Sequence, residues 1–197
     1  MVDIQPLCER IRCLFEKNGR ATVAIDGPSA AGKTRLGERL RALYPSNVYH
    51  MDDFFLRPEQ RTRERLGQPG GNIDYERFLS EVIVPMAESR GHAFRKYDCR
   101  TCELSAPVAV EPRPLAIVEG VYSLHPYFGE VFDVKVFFGI GRDEQLRRLR
   151  ERDASLAERF ESEWIPMETE YFDHFKIMEK CDFVIVSGQC RPTSGCI

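Results

Sequence analysis

The sequence lacks an apolar run long enough to cross a bilayer, and its first residues lack the basic and apolar regions of a secretory signal peptide. We therefore expect a cytoplasmic protein without a membrane partner. The chain also lacks a basic excess, because 28 Lys and Arg residues stand against 31 Asp and Glu residues. Since a nucleic acid requires a basic surface, we expect a small-molecule partner and no nucleic acid. The oligomeric state stays open, with a homo-oligomer as one alternative.

The cysteines and histidines lack the spacing of a disulfide framework or of a metal site. Seven cysteines form an odd, irregular set, in which Cys99 and Cys102 make one CxxC with no second pair at zinc spacing. This favours reduced thiols in a reducing compartment. No histidine has metal-ligand spacing, so we interpret each as structural or exposed: His50, His92, His125 and His174.

A phosphate-binding motif is present near the start of the chain. Residues 27–34 read Gly-Pro-Ser-Ala-Ala-Gly-Lys-Thr, which is the pattern G-x-x-x-x-G-K-T. A β-branched apolar run precedes it and a stretch with helical spacing follows it, and this context disfavours a chance glycine-rich turn. The predicted phosphate-binding residues are Gly27, Ser29, Ala30, Ala31, Gly32, Lys33 and Thr34.

Each part of this motif has a physical role in binding a nucleoside triphosphate. The loop curls its backbone N–H groups around the phosphates, and the N-terminus of the following helix adds partial positive charge. The Lys33 ammonium can reach the β- and γ-phosphates, and the Thr34 hydroxyl can ligate Mg²⁺. We therefore expect a nucleoside triphosphate with Mg²⁺, and a Lys33 that faces solvent before the nucleotide binds.

Strands and helices alternate over most of the length. The predicted strands are 21–25, 47–51, 115–118, 133–140 and, last, 182–186. The predicted helices are 4–17, 35–43, 75–89, 143–152 and 157–180, the final one kinked at Pro166. This order predicts one P-loop NTPase domain over 1–197, a three-layer α/β/α fold with a mostly parallel sheet. A leading helix occupies 1–18, a polar loop 56–73, and a C-terminal tail 189–197.

Carboxylates at two strand ends are candidate catalytic groups. Asp52 and Asp53 follow the second strand, where an acid can accept a proton from a substrate hydroxyl or hold Mg²⁺. Solvated turn aspartates are the alternative. Glu119 ends the apolar run 115–118 in the manner of a Walker-B acid, and a carboxylate in that position is costly without a cation partner.

Arginines crowd the predicted helix 143–152. They can stabilise charge on a transferring phosphoryl group. Acidic residues are interleaved with them, however, so surface ion pairs are an equally open interpretation. The four arginines are Arg147, Arg148, Arg150 and Arg152.

Several motifs follow the P-loop in a defined order: Met-Asp-Asp-Phe-Phe at 51–55, Asn-Ile-Asp-Tyr at 72–75, Lys-Tyr-Asp at 96–98, Val-Glu-Gly at 118–120, and the arginine helix. Together they resemble the uridine kinase and phosphoribulokinase family of P-loop kinases, over roughly residues 20–188. The resemblance implies an ATP- and Mg²⁺-dependent kinase with a small helical lid at about 143–165. Such an enzyme transfers the γ-phosphoryl group to a hydroxyl of a nucleoside-like or other small alcohol.

The resemblance also implies roles for matching residues. Asp52 matches the catalytic base of an Asp-x-Phe-Tyr motif, in which Phe55 replaces the usual tyrosine. Asp52 would surround Mg²⁺ together with Thr34 and Glu119. Lys33 would act in catalysis as well as in nucleotide binding.

Further matches concern the acceptor and the phosphates. Asp74, which is also a predicted helix N-cap, matches an acid that holds ribose hydroxyls, and Tyr97 matches an aromatic of the nucleoside pocket. In the lid helix, Arg147 is implied as catalytic, Arg150 as nucleotide-binding and Arg152 as substrate-binding.

The sequence departs from uridine kinases in the segment that is expected to bind the acceptor. No histidine follows Tyr97 and Asp98, although uridine kinases carry one there that reads the pyrimidine. We therefore expect uridine to be a poor acceptor, and another nucleoside, a ribosyl compound or a pantothenate-like alcohol stays open. The lid also lacks the Glu-Arg-Gly-Arg pattern of the family.

A nucleotide-dependent switch or ATPase without an acceptor is the alternative function. No Asn-Lys-x-Asp guanine signature is present. Glu119 is followed by Gly120, where motor ATPases usually have two acids. Both features favour the kinase.

Overall fold

The computed structural model of the chain describes residues 2–186 and 188–193. Its strands are β1 (Ala21–Asp26), β2 (Ser46–His50), β3 (His92–Phe94), β4 (Tyr97–Asp98), β5 (Glu103–Leu104), β6 (Val108–Val110), β7 (Leu115–Glu119), β8 (Val134–Phe138), β9 (Phe183–Val186) and β10 (Gln189–Pro192). One sheet has the order β10-β9-β8-β1-β7-β2 and is parallel except between β9 and β10. The predicted mostly parallel sheet is therefore confirmed. β3 with β6, and β4 with β5, form small antiparallel pairs.

The α-helices are α1 (Gln5–Asn18), α2 (Lys33–Leu43), α3 (Arg63–Leu66), α4 (Tyr75–Phe78), α5 (Val84–Ala87), α6 (Arg142–Arg152), α7 (Ala157–Arg159) and α8 (Ile165–Phe175). Two π-helical segments, Leu79–Ile83 and Phe160–Trp164, connect α4 to α5 and α7 to α8. Within the described residues, every helix is too short or too polar to cross a membrane.

Helices cover both faces of the sheet. On one face, Val23 and Ile25 of β1 pack in a hydrophobic cluster with the buried sides of α1 and α2. On the other face, Ala24 and Val118 belong to a cluster that includes Tyr171 of α8. Because side chains alternate along a strand, β1 contributes to both clusters. The predicted three-layer α/β/α architecture is confirmed.

Two predicted helices are interrupted next to a proline. Pro85 has no N–H to continue the α-helical ladder, and the N–H of Val84 bonds to the carbonyl of Leu79, five residues back. The same arrangement precedes Pro166, where the expected kink takes the form of a π-helical segment. The final helix ends at Phe175 instead of 180, because Lys176 adopts a left-handed conformation with φ 53°.

The predicted C-terminal tail begins as a strand. Gly188, with φ 80°, reverses the chain, and β10 pairs antiparallel with β9 at the edge of the sheet. The prediction that 182–186 holds the last strand was therefore wrong. The final part of the predicted tail, 194–197, lies outside the described residues.

His125 lies among the aromatic side chains of the core. Its ring stacks on Tyr75 at 4.7 Å and on Tyr171 at 6.0 Å, and only 8% of the residue is exposed. The Nδ1 atom accepts a hydrogen bond from the backbone N–H of Tyr127 at 3.2 Å. Burial lowers the pKa of His125 to about 4, so the folded protein holds a neutral ring.

This burial predicts that acid destabilises the protein through His125. The unfolded chain takes up a proton near the usual histidine pKa of about 6.5, whereas the folded chain resists it down to about 4, so stability falls as the pH falls through this window. We expect the unfolding free energy to lose about 2 kcal/mol between about pH 7 and about pH 5 from this residue alone. Denaturant titrations of the wild type and of His125→Gln at both pH values measure this loss. If the unfolding free energy depends equally on pH in both proteins, the prediction is contradicted.

Candidate active site

Three segments that carry candidate catalytic residues meet at one edge of the sheet. β1 leads into the P-loop, β2 leads into the turn Met51–Phe54, and β7 ends in Glu119. β7 lies between β1 and β2 and runs parallel to both, so the three carboxyl ends are adjacent. Ligands bind at this edge in open α/β sheets.

The P-loop has the backbone conformation that its glycines allow. Gly27 has φ 137° and Gly32 has φ 117°, which are conformations that side chains disfavour. A Cβ atom at Gly27 would also overlap the carbonyl of Phe138 in β8. Ala30 lies in the left-handed region as well, with φ 61°. The loop is therefore held in a curled shape before any nucleotide binds.

Lys33 is buried, contrary to the expectation that it faces solvent. Only 7% of the residue is exposed, and its Nζ donates to the carbonyls of Gly27 at 2.7 Å and Pro28 at 2.9 Å. The curled loop encloses the ammonium group because its own carbonyls satisfy the donors. Burial lowers the pKa of Lys33, and the charges of Asp26 and Glu168 oppose that shift.

Thr34 and Glu119 are in direct contact. The Thr34 hydroxyl lies 3.1 and 3.2 Å from the two carboxylate oxygens of Glu119, which is 4% exposed. His50, at the end of β2, donates from Nδ1 to Oε1 of Glu119 at 2.5 Å. This hydrogen bond raises the pKa of His50. The contact of His50 with Glu119 was not predicted, because no residue pattern links a histidine to an acid 69 positions away.

Asp52 lies in the turn after β2, near this pair. Water reaches its side chain, but protein atoms surround it closely, and this crowding raises the pKa of its carboxyl group. The Lys33 ammonium opposes the shift and the Glu119 carboxylate reinforces it, so all three groups lie within electrostatic range. Asp53 differs, because it forms an ion pair with Lys96 at 2.9 Å.

The oxygen donors of the site fit Mg²⁺. A hydroxyl from Thr34 and carboxylates from Asp52 and Glu119 are hard ligands of the kind that this ion prefers. Within the described residues, no three His, Cys, Asp or Glu side chains converge as a metal site by themselves. Mg²⁺ keeps several waters and is usually bound by one or two carboxylates with substrate phosphates, so this donor set suits it.

The two predicted acceptor residues differ in how far the protein already satisfies them. Asp74 caps α4, as predicted, by accepting from the Arg77 N–H at 3.2 Å. Its other oxygen faces the Arg77 guanidinium at 3.3 Å, and the residue is 2% exposed. Tyr97 is 4% exposed, and its hydroxyl lies beside the Cys102 thiol without a hydrogen bond of normal geometry to any described residue. The acceptor roles of both stay predictions.

Three arginines of α6 were predicted to bind phosphates or substrate. Arg147 makes exposed ion pairs with Glu144 and Glu151, which is the alternative interpretation. Arg150 lies 3.4 Å from Glu161. Arg152 lies over the Phe160 ring, 5.2 Å from its centre, and its charge reaches Asp52.

Arg148 was one of the four candidate arginines, but the family resemblance implied no separate role for it; in the structure it contacts the P-loop. Its Nη1 donates to the carbonyls of Ala30 at 3.2 Å and Ala31 at 3.3 Å. Helical spacing alone does not specify which of four neighbouring arginines faces the loop.

Glu168 of α8 also holds the P-loop and was not predicted. It accepts a hydrogen bond from the Ser29 N–H at 3.0 Å and another from the Ser29 hydroxyl. Gln145 of α6 donates to the Ser29 carbonyl at 3.2 Å. Ser29 was predicted to bind phosphate, but its N–H and hydroxyl are both directed at Glu168. Burial raises the pKa of Glu168.

Comparison with solved structures gives the class of the fold. A protein described as a possible uridine kinase from Bacillus stearothermophilus is 21% identical, with a TM-score of 0.64 over 92% of this chain and 100% of that chain. D-glycerate 3-kinase from Cryptococcus neoformans is 14% identical, with a TM-score of 0.61 over 93% of this chain and 95% of that chain. Phosphoribulokinase from Rhodobacter spheroides is 14% identical, with a TM-score of 0.59 over 85% of this chain and 70% of that chain. The fold is thus similar to that of P-loop kinases for small molecules, as the motifs implied.

Comparison by sequence finds a similarity that covers a shorter part of the chain. Uridine-cytidine kinase C from Dictyostelium discoideum is 25% identical over 116 residues, which cover 58% of this chain. The match spans only 26% of that kinase, about a quarter of its length. No family model matches the chain.

The contacts of Glu168 predict that it stabilises the P-loop. In Glu168→Ala the Ser29 N–H and hydroxyl lose their acceptor, and we expect the unfolding free energy to fall by about 1–3 kcal/mol. Glu170→Ala is the matched control, because Glu170 is an exposed residue of the same helix and should change stability by less than about 0.5 kcal/mol. Chemical denaturation compares the two. Equal stabilities would mean that Glu168 does not hold the loop.

Proposed function

We propose that the protein is an ATP- and Mg²⁺-dependent small-molecule kinase that transfers the γ-phosphoryl group to a hydroxyl of a nucleoside-like or other small alcohol. The observation that carries this proposal is the contact between the P-loop Thr34 and the strand-end Glu119, with Asp52 beside them. The similarity of the fold to uridine kinase, phosphoribulokinase and D-glycerate 3-kinase supports it.

The side chains have separate tasks in this proposal. The Lys33 ammonium exchanges its two carbonyl acceptors for oxygens of the β- and γ-phosphates. Thr34, Glu119 and Asp52 would hold Mg²⁺, directly or through water, and the bound ion would supply positive charge beside the phosphates. The Asp52 carboxylate accepts the proton of the acceptor hydroxyl, and most of the rate enhancement comes from positioning and charge neutralisation.

The acceptor can be identified by thermal-shift screening with a nonhydrolysable ATP analogue. A ligand that binds the folded protein raises its unfolding temperature. A candidate that adds stability only in the presence of the analogue and Mg²⁺ is then assayed for phosphorylation. Robust ATP hydrolysis that no acceptor changes would instead support the alternative, a switch or ATPase.

Lys33→Ala tests the nucleotide site. A hydrogen bond to a charged group contributes about 1.5–3 kcal/mol, so we expect ATP to bind at least tenfold more weakly and turnover to be lost. Lys17→Ala, at an exposed lysine of α1, should bind ATP normally. Because Lys33 also bonds to the loop itself, denaturation of both variants separates a binding defect from unfolding. Unchanged turnover in Lys33→Ala contradicts the assignment.

Asp52→Asn tests the base. We expect turnover to fall by about 10²- to 10⁴-fold, because the amide cannot accept the proton, while affinity for the ATP analogue changes little. Asp53→Asn is the matched neighbour, since its carboxylate pairs with Lys96, and its turnover should stay within about tenfold of the wild type. If Asp53→Asn and Asp52→Asn lose the same activity, the base is wrongly assigned.

A further inference from the structure

Cys99 and Cys102 occupy the turn of a small hairpin. β4 and β5 pair at Tyr97 with Leu104 and at Asp98 with Glu103, so residues 99–102 form the connection. The Cys102 N–H closes this turn on the carbonyl of Asp98 at 2.7 Å. The proposed reaction gives neither thiol a role.

The turn geometry brings the two cysteines together. Residues three positions apart in a turn have Cα atoms within about 7 Å, and a disulfide requires about 4.4–6.8 Å. The Cys102 sulfur already points back along the turn, 3.9 Å from the carbonyl oxygen of Cys99. Both side chains are solvent-exposed and both are free thiols in this structure.

Cys102 has an unusual backbone conformation. Its φ is 59°, in the left-handed region that residues other than glycine rarely adopt. Such a conformation costs about 1–3 kcal/mol and tends to persist where function requires it. In this turn the thiol of Cys102 lies near both the Cys99 carbonyl and the Tyr97 hydroxyl.

The turn lies near the proposed base. Cys99 is within electrostatic range of Asp52 and of the Arg61 guanidinium. Tyr97, the predicted acceptor-binding aromatic, is two residues before Cys99 and pairs across the same hairpin. A covalent link across this turn would therefore act on the acceptor side and not on the P-loop.

We infer that Cys99 and Cys102 are a redox-active dithiol that forms a reversible intramolecular disulfide by exchange with a low-molecular-weight disulfide. One protein thiolate attacks the small disulfide, forms a mixed disulfide and releases one small thiolate. The second protein thiolate then attacks the bound protein sulfur and releases the other. The protein loses two protons and two electrons in all, and the small disulfide takes them up to become two thiols.

Either thiolate can make the first attack, and the other then closes the ring. The closed ring restrains the hairpin that carries Tyr97. This consequence for acceptor binding rests on the proposed function, whereas formation of the disulfide does not.

Peptide mapping tests the disulfide directly. The native full-length protein is equilibrated with oxidised glutathione, the remaining thiols are alkylated, and the protein is digested with trypsin without reduction. Trypsin cuts after Lys96 and after Arg100, between the two cysteines. We expect the peptide 97–100 to be joined to the peptide that starts at Thr101, with a mass lower by two hydrogen atoms than the separate peptides, and to be released by a dithiol reductant.

Single serine variants provide the controls. Cys99→Ser and Cys102→Ser should each lose the joined pair and retain glutathione on the remaining cysteine. Cys13→Ser, at an exposed cysteine of α1, should still give the pair. If the wild type carries only glutathione on Cys99 or Cys102, or if both thiols stay alkylated, the inference is overturned.

Ligand binding by the reduced and the oxidised protein separates this inference from the proposed function. Binding of the ATP analogue should be equal in the reduced and oxidised proteins, while the stabilisation that an identified acceptor adds should differ at least threefold in apparent affinity. An oxidised protein with unchanged acceptor affinity overturns the functional consequence. Failure of ATP binding in both states contradicts the kinase, and the joined peptides then support or overturn the disulfide independently of it.

Discussion

The buried carboxylate of Asp26 joins the parts of the site to one another. It accepts hydrogen bonds from the Gly27 N–H at 2.7 Å, the Tyr122 N–H at 3.1 Å, the Leu124 N–H at 2.9 Å and the Tyr171 hydroxyl at 2.8 Å. These donors belong to the P-loop, the segment after β7 and α8. Complete burial raises the pKa of Asp26 to about 6 even with these donors present. One buried group thereby joins the P-loop, the segment that follows Glu119 and helix α8.

Charge balance around Lys33 supports the proposal that a nucleotide and a metal ion bind together at this site. Lys33 is a buried cation within electrostatic range of four acids, namely Asp26, Glu168, Glu119 and Asp52. A bound triphosphate would add further negative charge to this cluster. Lys33 alone would not offset that charge, and on the proposed function a divalent cation beside Thr34 and Glu119 would supply the missing positive charge. Among the arginines of α6, Arg147 and Arg150 contribute little to this balance, because they are directed at surface acids.

The sequence predicted the features that depend on residues close together in the chain. Apolar runs located β1, β7 and β8, and the glycine spacing located the P-loop, because these signals lie within ten residues. Contacts between distant segments were missed. Glu168 meets Ser29 across 139 positions and His50 meets Glu119 across 69, and no spacing rule connects such pairs. The helix interruption at Pro85 could have been found, since proline removes a backbone donor wherever it falls within a helix. β10 was missed because its turn depends on a single glycine, Gly188.

The two predicted acceptor residues, Asp74 and Tyr97, differ in how far the protein itself satisfies their polar groups. Both oxygens of Asp74 are engaged by Arg77, so a ribose diol would have to displace an internal ion pair that is buried on both sides. Separating such a pair leaves an uncompensated charge, which is costly. The Tyr97 hydroxyl is in a different condition: it is buried, and its neighbour among the described residues is the Cys102 thiol, a weak hydrogen-bonding group that does not meet normal hydrogen-bond geometry with it. A buried hydroxyl with only a weak partner is costly, and an acceptor with one matching polar group would recover part of that cost. On the proposed function, Tyr97 is therefore the better candidate of the two for a contact with the acceptor, and sequence resemblance implied a role for both.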